Sequence, residues 1–154
     1  MPPVPPPERN ACNCLALRQA SRHVTQLYDR FLAPSGLRIT QFSILATLRR
    51  RGPLTINALA AALVMDRTTL GRNIQPLERT GLIAVLPSDT DRRRKELRVT
   101  AAGAAALRAA LPGWIAAQRE FEDVFGRKRT TELRALLRAV AESPLAPPPS
   151  DGLA

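Results

Sequence analysis

The sequence predicts a mainly α-helical chain with one small β-hairpin, on three observations. Alanine and leucine dominate, while aromatic residues make up only 4% of the 154 residues, a balance that favours helix. Apolar residues recur at three- and four-residue steps on both sides of the chain's middle. Between those regions, residues 82–86 and 96–99 read as two short strands around a basic cluster of Arg92, Arg93, Arg94 and Lys95. Short helices, then a basic-tipped hairpin, then long helices make the order of a winged helix-turn-helix flanked by N- and C-terminal dimerisation helices.

Each element has its own signal. Prolines crowd residues 1–10 and 144–154, and those tails are expected to be disordered because proline cannot continue a helix. They frame one domain at about 11–143, with the winged helix at about 37–100 and dimerisation helices at about 12–33 and 101–142. The first helix, 12–32, carries the stripe Leu17, Ala20, Val24, Leu27 and Phe31. Ala33-Pro34-Ser35-Gly36 ends it. Thr40 is the expected cap of a second helix through Phe42, Leu45 and Leu48, which Gly52-Pro53 breaks. Leu54-Thr55 reads as a short strand, with Thr55 capping a third helix through Ile56, Leu59 and Leu63.

Asp66 caps a fourth helix from Arg67 to about Thr80, and Gly81 stops it. After the hairpin, Thr100 caps a long helix through Leu107, Leu111, Ile115 and Phe121, with a kink expected at Pro112. A last helix is expected over 131–141, carrying Leu133, Leu136, Leu137 and Val140. The terminal helices hold more apolar surface than one small domain needs. A twofold dimer uses that surplus and presents two reading heads to a palindrome.

Charge points to the partner. The net charge is +10 and the isoelectric point is near 11.4, which suits a polyanion. Residues 66–100 hold eight basic and five acidic side chains, so part of the excess lies in the hairpin region. Arg49, Arg50 and Arg51 form a second cluster at a helix end, where cations complement the dipole.

Double-stranded DNA is the expected partner. On the fourth helix Leu70, Ile74 and Leu77 turn inward at i, i+4 and i+7. Thr68, Arg72, Gln75 and Arg79 then point outward, with Arg67 at the helix start and Thr69 and Gly71 on the shoulders. Arginine and glutamine pair bidentately with guanine and adenine in the major groove. In the hairpin Arg93 is expected to enter the minor groove, with Asp91 holding its guanidinium in a bidentate pair. Arg92, Arg94 and Lys95 are expected at phosphates. Pro76 removes one backbone donor late in the helix, after the turns that carry base contacts.

Other functions find little support. The chain has no phosphate loop, no Gly-x-Gly-x-x-Gly and no metal-ligand cluster, so neither an enzyme nor a cofactor is expected. His23 is the single histidine. Nine helical residues, about 13 Å of rise, part it from Cys14. Trp114 and Tyr28 read as core residues. No apolar run is long enough to span a bilayer and no signal peptide opens the chain, so it is expected to be cytoplasmic.

On these residues the sequence resembles the MarR family of bacterial transcriptional regulators over about 14–140. Asp91-Arg92-Arg93 followed by Leu97-Arg98-Val99-Thr100-Ala101-Ala102-Gly103 is similar to the family's wing signature, an Asp-x-Arg leading into Leu-Thr-x-x-Gly. Met65-Asp66-Arg67-Thr68-Thr69-Leu70 and Leu77-Glu78-Arg79-Thr80-Gly81-Leu82-Ile83 resemble its recognition helix and exit. Pro76 departs from the polar residue usual there. The resemblance implies a homodimer on a pseudo-palindromic operator, repressing nearby genes. It also implies release by a small-molecule or oxidant inducer near the junction of the dimerisation and DNA-binding regions.

Cys14-Leu15-Ala16-Leu17 with Ala20-Ser21-Arg22 is similar to the first-helix motif of the organic-hydroperoxide-sensing branch. A thiol at a helix start is well placed to react with an oxidant, and Cys12 offers a second thiol to resolve a sulfenate, across a dimer more readily than within one helix turn. That branch sets tyrosines about its thiol. The matching positions here are Arg18, Tyr28 and Ile39. An architectural DNA-binding protein without an effector is the alternative reading, separated by inducer-dependent loss of binding.

Overall fold

The computed structural model describes residues 11–145. Of the expected tails, 1–10 and all of 144–154 beyond residue 145 lie outside the described residues. Helix α1 spans Asn13–Leu32, and the Sγ of Cys12 caps it by accepting from the Leu15 N–H at 3.4 Å. A short 3-10 turn, Ala33–Ser35, closes on Gly36, whose φ of +74° is one that L side chains rarely adopt.

Helix α2 covers Ile39–Arg51, so Thr40 lies inside it and is not its cap. The orphan donors at its start are met by two other side chains. Gln41 Oε1 accepts from the Arg38 N–H at 3.0 Å, and Asp29 Oδ1 on α1 accepts from the Ile39 N–H at 2.7 Å. Helix α3, Ile56–Leu63, is capped by Thr55 as expected, with Oγ1 taking the Ala58 N–H at 3.2 Å. The expected strand at Leu54-Thr55 is a single bridging residue: Leu54 pairs antiparallel with Leu97.

Helix α4, Arg67–Arg79, is capped by Asp66, whose Oδ1 accepts from the Thr69 N–H at 2.8 Å. It runs through Pro76 and ends on Thr80, with Gly81 at φ +73°. Strands β1, Ile83–Pro87, and β2, Lys95–Val99, pair antiparallel in the register Ile83↔Val99 to Pro87↔Lys95.

Thr100 then joins three elements. Its hydroxyl donates to the Gly81 carbonyl at 2.6 Å and accepts from the Gly103 N–H at 3.0 Å. That starts α5, Ala101–Phe125, which continues as one helix through Pro112. Gly103 is buried, and a Cβ there would lie 2.1 Å from the Leu82 carbonyl oxygen. The glycine of the wing signature therefore marks a close approach of α5 to the entry of β1. Gly113 plays the same part against α1, where a Cβ would fall 2.5 Å from the Phe31 carbonyl oxygen.

Helix α6 runs Arg127–Glu142, four residues earlier than the expected start at 131. Gly126 at φ +98° makes the break from α5.

One core unites the winged helix. Leu32, Leu37, Phe42, Ile44, Leu45, Leu48, Leu59, Leu70, Ile74, Leu77, Ile83, Leu97 and Ala110 form a single buried cluster. Trp114 stacks on Phe42 with ring centroids 5.9 Å apart, the packing role expected of it. Tyr28 hydrogen-bonds Gln118 across α1 and α5, and its burial raises its pKa. The chain is thus mainly helical with one antiparallel hairpin, as predicted.

Candidate nucleic-acid interface

Helix α4 splits into two faces. Leu70, Ile74 and Leu77 are buried at 0%, 4% and 1% exposure and hold the helix to the core. Arg67, Thr68, Thr69, Arg72, Gln75 and Arg79 are all exposed. Nothing lies within 4 Å of a Cβ built on Gly71, so the backbone beside Arg72 is open to a large partner. The Asp66 carboxylate is held below its ordinary pKa by hydrogen bonds from Thr69, hydroxyl first and amide second. The start of α4 is therefore fixed where Arg67, Thr68 and Thr69 project. Asn73, not singled out from the sequence, spans the helix surface by donating to the Thr69 carbonyl at 2.8 Å.

The wing loop between β1 and β2 is ordered by its own side chains. The buried Ser88 donates its N–H to the Arg94 carbonyl at 2.8 Å, and its hydroxyl pairs with that of Thr90 at 3.0 Å. Asp91 shapes the tip, but not by the expected contact. Its Oδ1 accepts from the backbone N–H of Arg93 at 3.0 Å, and its Oδ2 lies 3.7 Å from Nε of Arg94. The bidentate pair expected between Asp91 and the Arg93 guanidinium is replaced by a turn. The carboxylate sits where the chain reverses, so the following N–H groups are nearer to it than the long Arg93 side chain. Among the described residues no salt bridge involves the side chains of Arg92, Arg93 or Lys95, and all three are exposed.

Two features of the winged helix have only a weak signal in the sequence. Arg98 on β2 reaches the loop residue Asp89, with Nη2 to Oδ2 at 2.7 Å. Its hint is the two-residue alternation that sets it on the face of Glu96. Val64, between α3 and α4, holds φ at +52° with 74% exposure. This left-handed position usually falls to glycine or asparagine, so its residue type conceals it.

Away from this surface, Cys12 and Cys14 are both exposed free thiols. Arg49, Arg50 and Arg108 line a cleft of about 330 Å³ between α2 and α5, together with Phe42, Ala46, Leu107 and Leu111. A larger apolar groove of about 900 Å³ separates α1 from α6, lined by Leu17, Ala20, Val24, Leu133, Leu137 and Val140. Among the described residues, no group of three or more histidine, cysteine or acidic side chains stands ready for a metal, and no helix is long and apolar enough to cross a membrane.

Comparison with known proteins agrees with this architecture. Residues 37–95 match the MarR family. The chain is 31% identical over 127 residues to the HTH-type transcriptional regulator PecS of Dickeya dadantii, covering 80% of this chain and 76% of that one. It is 30% identical over 96 residues to the HTH-type transcriptional repressor NicR of Pseudomonas putida, covering 62% of this chain and 61% of the other. Among solved structures, the M. tuberculosis transcriptional regulator MosR in complex with DNA is 39% identical, with a TM-score of 0.72 over 84% of this chain and 96% of that chain. The chain belongs to the MarR family of winged-helix transcriptional regulators.

Proposed function

We propose that this protein is a homodimeric, sequence-specific DNA-binding repressor that sits on a pseudo-palindromic operator and is released by a small ligand or by thiol oxidation. The observation that carries the reading is the pairing of two surfaces. A polar outer face on α4, with Arg72 and Gln75 at its centre, adjoins a wing whose tip carries uncompensated arginines. A relative 39% identical to the chain, of the same fold, has been solved on DNA. Arg67, Thr68, Thr69, Arg72, Gln75 and Arg79 read the major groove and its phosphates. Arg93 enters the minor groove, while Arg92, Arg94 and Lys95 meet phosphates and Asp91 holds the turn. NicR, a repressor, supports the sign of regulation.

Exposed apolar surface supports the dimer. Leu17, Leu111, Ile115, Leu136, Leu137 and Val140 are each 37% exposed or more, and all lie on α1, α5 and α6. Isolated exposed leucines need no explanation, but a continuous groove between two helices does. A second copy fills it.

Two routes of release are open to the fold. The α2–α5 cleft joins the winged helix to a dimerisation helix, and its three arginines over an apolar lining suit an apolar anion. Alternatively a hydroperoxide oxidises the Cys14 thiol to a sulfenic acid and leaves as its alcohol. A second thiol, Cys12 of the other copy, then forms the disulfide and water departs.

The test is binding to the DNA upstream of the protein's own gene. The wild type is expected to bind it in preference to unrelated duplex. Arg93→Ala lowers affinity on every sequence and flattens the salt dependence by about one charge. For the thiol route, hydroperoxide is expected to release the wild type but not Cys14→Ser. Equal binding to unrelated DNA by wild type and Arg93→Ala contradicts the reading.

A further inference from the structure

The wing carries a second carboxylate that DNA reading does not use. Asp89 lies just after β1, and its side chain is 82% exposed. Beside a phosphate backbone such a group is repelled. Arg98 answers it. Nη2 of Arg98 donates to Asp89 Oδ2 at 2.7 Å and lies 3.5 Å from Glu96 Oε2. The Arg98 side chain is 29% exposed, and its Nε is buried with no hydrogen-bond partner.

The hairpin register explains how the arginine reaches the loop. Ala84 stands opposite Arg98 and Leu86 opposite Glu96, so these four share one face of the ladder. Leu97 and Val85 take the other face, where Leu97 is buried in the core. Small Ala84 leaves room beside the arginine. Its guanidinium runs along the outer face, past the last pair Pro87↔Lys95, to the loop beyond.

The other bonds that order the loop are internal to it. Ser88 bonds Arg94 and Thr90, while Asp91 bonds Arg93 and Arg94. Among the described residues, Asp89 to Arg98 is the side-chain hydrogen bond that ties this loop to the strand below it.

We propose that Arg98 is a positioning residue for the wing. By drawing Asp89 back against β2, it sets the direction of the loop bearing Arg92 and Arg93, and it cancels a negative charge that would otherwise face DNA. Arg98 itself touches neither base nor phosphate. This rests on the DNA-binding reading above.

A double-mutant cycle in the full-length protein tests it, read as affinity for duplex from upstream of its own gene. The variants are Arg98→Gln, Asp89→Ala and the pair together, with wild type and Arg93→Ala as references. Glutamine keeps much of the stem and loses the charge, so a packing role alone predicts wild-type binding. The expected result is an affinity about tenfold lower for Arg98→Gln, as for other charges that steer an interface. In the Asp89→Ala background the same change is expected to have little further effect, because the carboxylate it restrains is gone. Amide exchange of Arg93 and Arg94 in the free protein is expected to quicken in Arg98→Gln while that of α4 stays unchanged.

Wild-type binding by Arg98→Gln overturns the proposal. So does an equal loss in both backgrounds, which marks a direct phosphate contact. If instead the wild type itself shows no preference for the duplex, the DNA reading fails, and the exchange measurement still reports on the tie between Arg98 and the loop.

Discussion

Single carboxylates decide much of this surface. Asp66, Asp89 and Asp91 stand at the start of α4, at the base of the wing loop and at its tip, and each accepts a hydrogen bond there. Their roles were unequally legible in the sequence. The Asp66 cap follows from local spacing, because an aspartate just before a helical stripe can reach only its own first turn. The partner of Asp91 did not follow. A turn offers several N–H groups at similar range, and which of them wins depends on backbone angles that composition does not carry.

The lowered pKa of Asp66 has a consequence for stability. A group depressed on folding stabilises the native state above its unfolded value, and the gain is lost as pH falls through the folded value. The difference in melting temperature between wild type and Asp66→Ala is therefore expected to be full at neutral pH and to shrink as pH falls below the ordinary carboxylate value of 3.8. Melting curves across that range check it, and a gap that does not change with pH contradicts the assignment.

At the scale of elements, local capping signals located α3, α4 and α5 correctly, because Thr55, Asp66 and Thr100 each bond within their own first turn. Helix α2 began earlier than expected since part of its cap, Asp29, comes from ten residues upstream on another helix. Helix α6 also began early. Gly126 breaks the chain by its backbone conformation, and the basic run Arg127-Lys128-Arg129 hides a helix start where anions are usual. Arg129 lies 4.3 Å from the Phe125 ring centre, which gives one of these cations a partner.

Val64 makes the clearest element-scale prediction. A β-branched residue at φ +52° is strained, and at 74% exposure it buries little in return. Left-handed backbone costs an L-residue about 1–2 kcal/mol, offset in glycine by about 0.5–1 kcal/mol of chain entropy. Val64→Gly is expected to stabilise the protein by roughly 0.5–1 kcal/mol, read from chemical denaturation. A destabilised variant means that Val64 makes contacts worth more than its strain.

For the molecule as a whole, the sequence exposed a surplus of apolar helix surface, and the fold leaves that surplus on α1, α5 and α6, away from the winged-helix core. The stripe on α1 meets α5 only in part, so Leu17 stays 40% exposed and the α1–α6 groove stays open. Periodicity could reveal the apolar face but not what covers it, because a cover from outside the chain leaves no trace in the chain's own pattern. In the proposed dimer, two copies joined there carry two α4 helices and two wings. This is the arrangement that makes a small basic domain selective, since each added half-site multiplies discrimination.

Protection of the DNA upstream of the protein's own gene, mapped at base resolution, tests this account most directly. The account predicts two protected half-sites related by a dyad and centred about one helical turn, roughly 10 base pairs, apart. Arg72→Ala is expected to relax the preference at one or two positions in each half-site, while Arg93→Ala weakens protection across the whole footprint. A single undivided footprint, or binding that ignores sequence and is indifferent to both substitutions, would contradict it.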